Sequence, residues 1–274
     1  MQIDVNGTLL DKEEAFAGIG HRGLNYGDGL FESMRLVNGQ VPLLSDHIRR
    51  LKKGMKVLKI SIPKNYNTAF FRKRIKILAG DQAFARLRLT VFRAAGGLYT
   101  PRHHSPTYIL NWEPLSADPW SWSATGLKVD ICPAVQLPVT ALSGIKTINA
   151  LPYVLAGIWR AEQGLDDCIL LNQRGEVAES GSSNIFYFKD NNLFTPEDRA
   201  GGVNGVMRNL VIRKAKRAGI LVNKKRVTVK DLLGADEVFL TNAVRGARWV
   251  ERIGTTLFVV DRRSSILLLG MAIK

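Results

Sequence analysis

Two Asn-Gly pairs, at 6–7 and 38–39, restrict what the first part of this chain can become, because each stands between short runs of strand-forming residues. Asn-Gly accepts positive φ at both positions with little strain, which gives the two-residue turn whose twist suits a β-hairpin. The first pair predicts a hairpin from a strand over Gln2–Val5 into one over 8–10. The second predicts that FESMRLV runs into Asn38-Gly39 and returns through QVPLL. Ser45 is then the expected N-cap of a helix whose Ile48, Leu51, Met55 and Leu58 fall on one apolar face. A basic helix over 65–78 and strands over 85–92 and 107–112 complete an α+β unit, a small first domain over 1–118.

The stretch EPLSADPWSWSATG (113–126) is rich in Pro, Ser and Gly and has neither helical nor strand periodicity, so a linker is expected there, at 119–126. A larger second domain over 127–274 carries strand-like runs at 127–131, 168–171, 184–188 and 237–241. Helices over 153–163 and 205–218 lie between them, the latter closed by Gly219. Two such domains leave a cleft, a favoured place for a cofactor.

A chain of 274 residues buries a substantial core without covalent staples, and 46% hydrophobic with 23% charged residues excludes disordered and fibrous classes. The opening MQIDVNGTLLDKEE carries acids, and the apolar run 266–273 is too short to span a bilayer, so a cytoplasmic protein is expected. Cys132 and Cys168 lack the paired spacing of a zinc or redox motif and read as buried thiols. The adjacent His103 and His104 have no further partner at metal-ligand spacing, and no metal site is expected. The formal net charge of +15 admits nucleic acid, an acidic membrane surface or small anionic substrates as partners. Lysine and arginine are spread through segments such as RRLKKGMK, FRKRIK, RKAKRAG and NKKRV, and in the first three helical patterning makes them a solvated outer face. Without an accompanying zinc-finger or RNP-type motif, the small anionic substrate is the expected partner; a non-catalytic basic nucleic-acid-binding protein is the alternative from another class.

Between Asp130 and Arg160 lies ICPAVQLPVTALSGIKTINALPYVLAGIW, in which Lys146 is the only charged residue. A lysine desolvated by apolar surroundings gives up its proton more readily, and the neutral amine is the nucleophile that imine formation needs. On spacing alone, a loop lysine that snorkels its ammonium to the surface fits equally well.

Six blocks decide between them. NYGDGLFESMR (25–35), DHIRRL (46–51), SGIKTIN (143–149), VAESGSSNIF (177–186), GGVNGVMRNL (201–210) and DEVFLTNA (236–243) stand in the order of the fold-type IV pyridoxal-phosphate enzymes, the class IV aminotransferase family, which this sequence resembles over nearly its whole length. The resemblance implies a two-domain α+β fold like that of D-amino acid aminotransferase, a homodimer, and pyridoxal 5′-phosphate held by Lys146 as an internal aldimine. Lys146 then also moves the proton at the substrate α-carbon. Glu179 matches the acid that pairs with the pyridine nitrogen, and a carboxylate there keeps the ring an electron sink. Arg50 matches the phosphate arginine, with Arg49 its outward-facing neighbour. Asn204 is expected to cap a helix from Gly205, so that the amides of Val206 and Met207 point at the phosphate. Asn242 and Ala243 fall at a second phosphate-binding turn, where branched-chain transaminases usually show Gly-Thr and where Ala243 offers only backbone.

The same blocks bear on the reaction. GVNGVMR closely resembles aminodeoxychorismate lyases, and Ser33 stands where those enzymes commonly carry threonine and branched-chain transaminases glycine. A hydroxyl there serves to relay a proton to the departing enolpyruvyl unit, or Ser33 is simply a small residue in a tight sheet. Leu151 replaces a tyrosine frequent in branched-chain transaminases. The lyase reading is cleavage of 4-amino-4-deoxychorismate to 4-aminobenzoate and pyruvate, a folate-pathway step; transamination of branched-chain or D-amino acids is the alternative. Arg88 and Arg93 are substrate-carboxylate candidates of opposite strand parity, with Arg93 favoured beside its Ala-Ala-Gly-Gly turn, and Tyr26 is a further substrate contact.

Overall fold

The computed structural model describes residues 2–12, 21–118, 120 and 123–259. The apolar run 266–273, residues 13 and 14 of the opening stretch, and linker positions 119, 121 and 122 lie outside the described residues. The chain divides into two compact units, Met1–Pro119 with Ile145–Asn149, and Trp120–Gly144 with Ala150–Lys274. Residues 145–149, assigned on sequence to the second domain, thus pack with the first, because their backbone pairs with a strand of that unit.

The first unit contains β1 (Gln2–Val5), β2 (Thr8–Asp11), α1 (Arg22–Tyr26), β3 (Gly29–Val37), α2 (Leu44–Val57), α3 (Thr68–Ala79), β4 (Phe84–Arg93) and β5 (Pro106–Pro114). Its sheet is antiparallel, in the order β2-β1-β5-β4-β3. Asn6 and Gly7, at φ 51° and 98°, make the expected hairpin turn. Asn38 and Gly39 also have positive φ, but the expected return through QVPLL is reduced to a single bridge between Val37 and Gln40. Pro42 has no amide for a ladder, and β3 instead pairs with β4 along its whole length, from Gly29↔Phe92 to Val37↔Phe84. Ser45 is no cap: α2 begins at Leu44 after Leu43 at φ 60°, with no side-chain cap hydrogen bond.

One face of this sheet is apolar. Met34, Leu36, Leu87, Leu89 and Leu110 are fully buried there against Ile48, Leu51 and Met55 of α2 and Phe71 and Ile75 of α3. Truncating one of these leucines to alanine costs about 2–5 kcal/mol. The basic residues Arg49, Lys53, Lys56, Arg72 and Lys73 lie exposed on the outward sides of the two helices, as their patterning predicts.

The second unit contains β6 (Leu127–Leu137), α4 (Leu151–Glu162), β7 (Asp167–Asn172), β8 (Val177–Ser180), β9 (Asn184–Lys189), β10 (Asn192–Pro196), α5 (Val206–Arg217), β11 (Val222–Lys225), α6 (Val229–Leu233), β12 (Glu237–Asn242), β13 (Gly246–Ile253) and β14 (Thr256–Leu257). Its mixed sheet runs β11-β10-β9-β12-β13-β6-β7-β8, with β14 paired to β13. The central strands are buried on both faces, which explains their nearly continuous apolar composition. Gly219, at φ 75°, follows the C-cap of α5 in the expected left-handed conformation. Cys132 and Cys168 are buried on the neighbouring strands β6 and β7. Burial, with Asp167 and Cys132 close by, pushes the Cys168 thiol up to about 12, so it is an inert thiol at neutral pH. Among the described residues no helix is long and apolar enough to cross a membrane.

Candidate active site

In the first unit, residues 145–149 extend the sheet beyond β3. The Phe31 amide donates to the Lys146 carbonyl at 2.9 Å, the Ile148 amide to the Gly29 carbonyl at 3.1 Å, and Leu30 and Thr147 form an antiparallel bridge. This backbone pairing places the lysine of the SGIK segment at a fixed level of the sheet. Its side chain is half-buried, with Nζ 4.4 Å from the centre of the Phe31 ring. Arg88, from β4, sets its guanidinium carbon 3.9 Å from the same ring centre. The apolar isolation read from the linear sequence is therefore only local, since the fold brings a second cation to the aromatic ring that Lys146 contacts.

The register identifies what accompanies them. Ser33 lies opposite Arg88, and Arg88 opposite Asn111, so the three form one row across β3, β4 and β5. By strand alternation the row and Phe31 share the sheet face turned away from Met34 and Leu87. Arg88 is half-buried, and burial lowers its pKa from the ordinary value, helped by Arg86 and opposed by Glu113.

Arg93 is built differently. Its Nε and Nη2 donate to the two oxygens of Asp28, at 2.8 and 3.3 Å, and Nη2 also donates to the Leu58 carbonyl. Nη1 donates to the Lys59 carbonyl at 3.0 Å and lies 2.9 Å from His104 Nδ1. Every guanidinium nitrogen thus has a protein partner, so Arg93 braces a loop, whereas Arg88 is the arginine that shares the Phe31 ring with Lys146. Burial works against the Asp28 charge, but Arg93 and Arg22 hold its carboxyl below the usual range. Arg22 also donates to the carbonyls of Gly97 and Leu98 and lies over the Tyr26 ring, so Tyr26 is packed into this same loop support.

On the apolar side of β3, Glu32 is buried within reach of α2. Its carboxylate accepts from Arg50 Nε at 2.8 Å, from Arg50 Nη2, and from His47 Nδ1 at 2.7 Å. Burial favours the neutral acid, yet the charge of Arg50 and the His47 hydrogen bond prevail and hold the carboxyl at about 2. His47 is pushed down, first by burial and further by Arg50 and Lys146, against the pull of Glu32. Arg49 pairs with Asp46 on the exposed side of the helix, as expected for the outward neighbour.

In the second unit, β8 buries Glu179, whose Oε1 accepts from the Tyr153 hydroxyl at 2.6 Å and Oε2 from Asn184 Nδ2 at 3.1 Å. Burial, and then the Glu179 charge, pushes the Tyr153 hydroxyl far above its ordinary pKa, so it remains a donor at any working pH. Asn184 also donates to the Val203 carbonyl at 2.7 Å, which ties the carboxylate to the segment before α5. That helix begins at Val206 with Gly205 as N-cap and no side-chain cap, so Asn204 does not cap it; its amide donates instead to the Gly144 carbonyl at 3.0 Å. A side chain at position 205 would place its Cβ 1.8 Å from Asn184 Oδ1, so it would displace the amide that bonds Glu179 and Val203. Val206 and Met207 open the helix with buried side chains. At the turn after β12, Asn242 Oδ1 accepts from the amides of Val244 and Arg245 at 3.1 and 2.7 Å, and the Ala243 carbonyl accepts from Trp120 Nε1 at 3.3 Å.

Five residues of these clusters escaped the sequence reading as functional groups: Glu32, His47, Asn111, Tyr153 and Asn184. His47 and Arg50 stand three apart, the spacing that brings two side chains to one helix face, and Asn184 lies inside the ESGSSN block. Nothing local marks Tyr153. Each unit by itself carries groups of the kind that pyridoxal 5′-phosphate needs: the first an amine and a braced guanidinium, the second a buried carboxylate and a helix start.

The amino-transferase class IV family model matches residues 29–253. A putative branched-chain-amino-acid aminotransferase of Methanocaldococcus jannaschii is 34% identical over 244 residues, 88% of this chain and 84% of that protein. An aminodeoxychorismate lyase of Vibrio harveyi is 28% identical over 245 residues, 89% of each chain. The crystal structure of 4-amino-4-deoxychorismate lyase from Pseudomonas aeruginosa superposes with a TM-score of 0.85 at 29% identity, covering 98% of this chain and 97% of that one.

Proposed function

The chain belongs to the class IV aminotransferase family of pyridoxal-phosphate enzymes, and from that premise we propose that it is a lyase converting 4-amino-4-deoxychorismate to 4-aminobenzoate and pyruvate. The observation that carries this reading is the row Ser33, Arg88 and Asn111 on the sheet face of Phe31, whose ring Lys146 touches. It sets a hydroxyl beside a guanidinium, which suits a substrate that carries carboxylates and must be protonated as it breaks.

Bound cofactor supplies an electron sink for the carbon that carries the substrate amine. Lys146 would hold the cofactor covalently and take the proton from that carbon, which carries none in the aromatic product, so that the proton leaves with the three-carbon unit. Glu179, kept in place by Tyr153 and Asn184, holds a proton on the ring nitrogen. Arg50 and the amides of Val206 and Met207 bind the phosphate, and backbone at Asn242 and Ala243 contributes at the second turn. Arg88 orients a substrate carboxylate, and Ser33 delivers a proton to the departing three-carbon unit.

Transamination is the second reading, favoured by the Methanocaldococcus jannaschii relative at 34% identity. Incubation with aminodeoxychorismate in the absence of any 2-oxo acid separates the two. A lyase releases pyruvate and 4-aminobenzoate through many turnovers, whereas a transaminase stops after one and requires an acceptor. Acceptor-dependent turnover of ordinary amino acids, with no acceptor-free cleavage, overturns the lyase assignment.

The proposed assembly is a homodimer. Leu151, Val154, Leu155 and Ile158 form an exposed apolar stripe on α4, each more than half accessible, and a second copy would cover it. A cytoplasmic setting agrees with the two free buried thiols.

A further inference from the structure

We infer that Glu32 and His47 are positioning residues that lock the guanidinium of Arg50 in one orientation for a phosphate group. The inference rests on the proposed role of Arg50 toward the cofactor phosphate. Its starting point is the location of Glu32, on the apolar side of β3 with Leu30, Met34 and Leu36 as its strand neighbours on that side and only 1% exposed. A carboxylate in such a place is tolerated only when its oxygens are bonded and its charge is met.

Both conditions hold. Arg50 presents its Nε and Nη2 edge to the carboxylate, and His47 Nδ1 donates to the Oε2 that Nη2 also reaches. Apolar residues of similar volume would serve stability as well as a buried ion pair does. What the charged group adds is direction, since a guanidinium gripped along one edge cannot rotate about its last bonds. His47 does the same for Glu32. It comes from α2 one turn before Arg50 and is 1% exposed, and its hydrogen bond keeps the carboxylate from turning with the arginine.

The adjacent residue extends the device. Phe31 bonds through its amide to the Lys146 carbonyl and touches Nζ with its ring. Strand alternation sends the Phe31 side chain to one face and that of Glu32 to the other. One dipeptide therefore sets both the lysine that holds the cofactor aldehyde and the arginine that meets its phosphate.

The test compares pyridoxal phosphate with pyridoxal, which lacks the phosphate. Cofactor is removed by dialysis against a competing amine, and equilibrium dissociation constants for both compounds are measured on the wild type, Glu32→Gln, Glu32→Asp and His47→Phe, with Tm recorded for each. Glu32→Gln should weaken pyridoxal phosphate roughly tenfold or more, as for loss of a charge-assisted hydrogen bond, and leave pyridoxal within about twofold. His47→Phe should lose phosphate discrimination in the same direction, and Glu32→Asp, which keeps the charge, should retain part of it. If Glu32→Gln does not fold, Glu32→Asp and His47→Phe decide. Equal weakening of both compounds, or unchanged discrimination in folded variants, overturns the positioning role even when borohydride labels Lys146 in the wild type. A wild type that takes up no cofactor on Lys146 overturns the proposed function and this inference with it.

Discussion

Lys146 and Phe31 are joined twice, by a hydrogen bond from the Phe31 amide to the Lys146 carbonyl at 2.9 Å and by contact of Nζ with the ring at 4.4 Å from its centre. The backbone bond fixes where the lysine stands along the strand, and the ring limits where its amine can go. Replacing Lys146 by alanine removes the amine without touching the backbone pairing. Lys146→Ala should therefore keep the wild-type Tm within a few degrees while losing covalent cofactor and all turnover. Borohydride reduction and peptide mapping of the wild type provide the check, and a pyridoxyl group recovered on any other lysine sinks the assignment.

Arg88 and Arg93 should behave oppositely. Arg88→Ala should raise KM for an anionic substrate roughly tenfold to a hundredfold, the effect of losing a charge-assisted contact, with little change in Tm. Arg93→Ala leaves Asp28 with one guanidinium in place of two and removes the Arg93 donors from the carbonyls of Leu58 and Lys59. A stability loss on the order of 3 kcal/mol is expected, read by denaturant unfolding. A normal KM in Arg88→Ala with a raised one in a stably folded Arg93→Ala would reverse the roles.

Glu179→Gln keeps the shape of the side chain and its bond to Tyr153 but removes the charge. Cofactor should still bind through its other contacts, while turnover falls by roughly a hundredfold or more because the ring nitrogen no longer retains its proton. Near-normal kcat at full cofactor occupancy would refute the role.

The Glu32 carboxyl titrates at about 2 in the folded protein against an ordinary 4.5. A depressed acid contributes stability that is complete above the unfolded value and is lost as pH falls through the folded one. The contribution, on the order of 3 kcal/mol, should disappear between about pH 4.5 and 2. Urea unfolding across that window should be less steep with pH for Glu32→Gln than for the wild type. Parallel curves would show that Glu32 carries no such share.

The blocks around Lys146, Glu179 and Arg50, the first hairpin turn and the basic outer faces of α2 and α3 were all legible in the sequence, because each depends on residues close together in the chain: a turn needs two positions, a helix face a period, a motif a few neighbours. What the linear order could not contain was pairing between distant segments. The partner of β3 is β4 and not the QVPLL stretch, since a nine-residue register with matching buried leucines outweighs a local return interrupted by proline. The same pairing decided that Arg88 stands in the row of Ser33 while Arg93 is bound into a loop by Asp28. Glu32 with His47, and Glu179 with Tyr153, became visible only in three dimensions, because a buried carboxylate finds its donors by packing, and packing joins residues that are 15 and 26 positions apart.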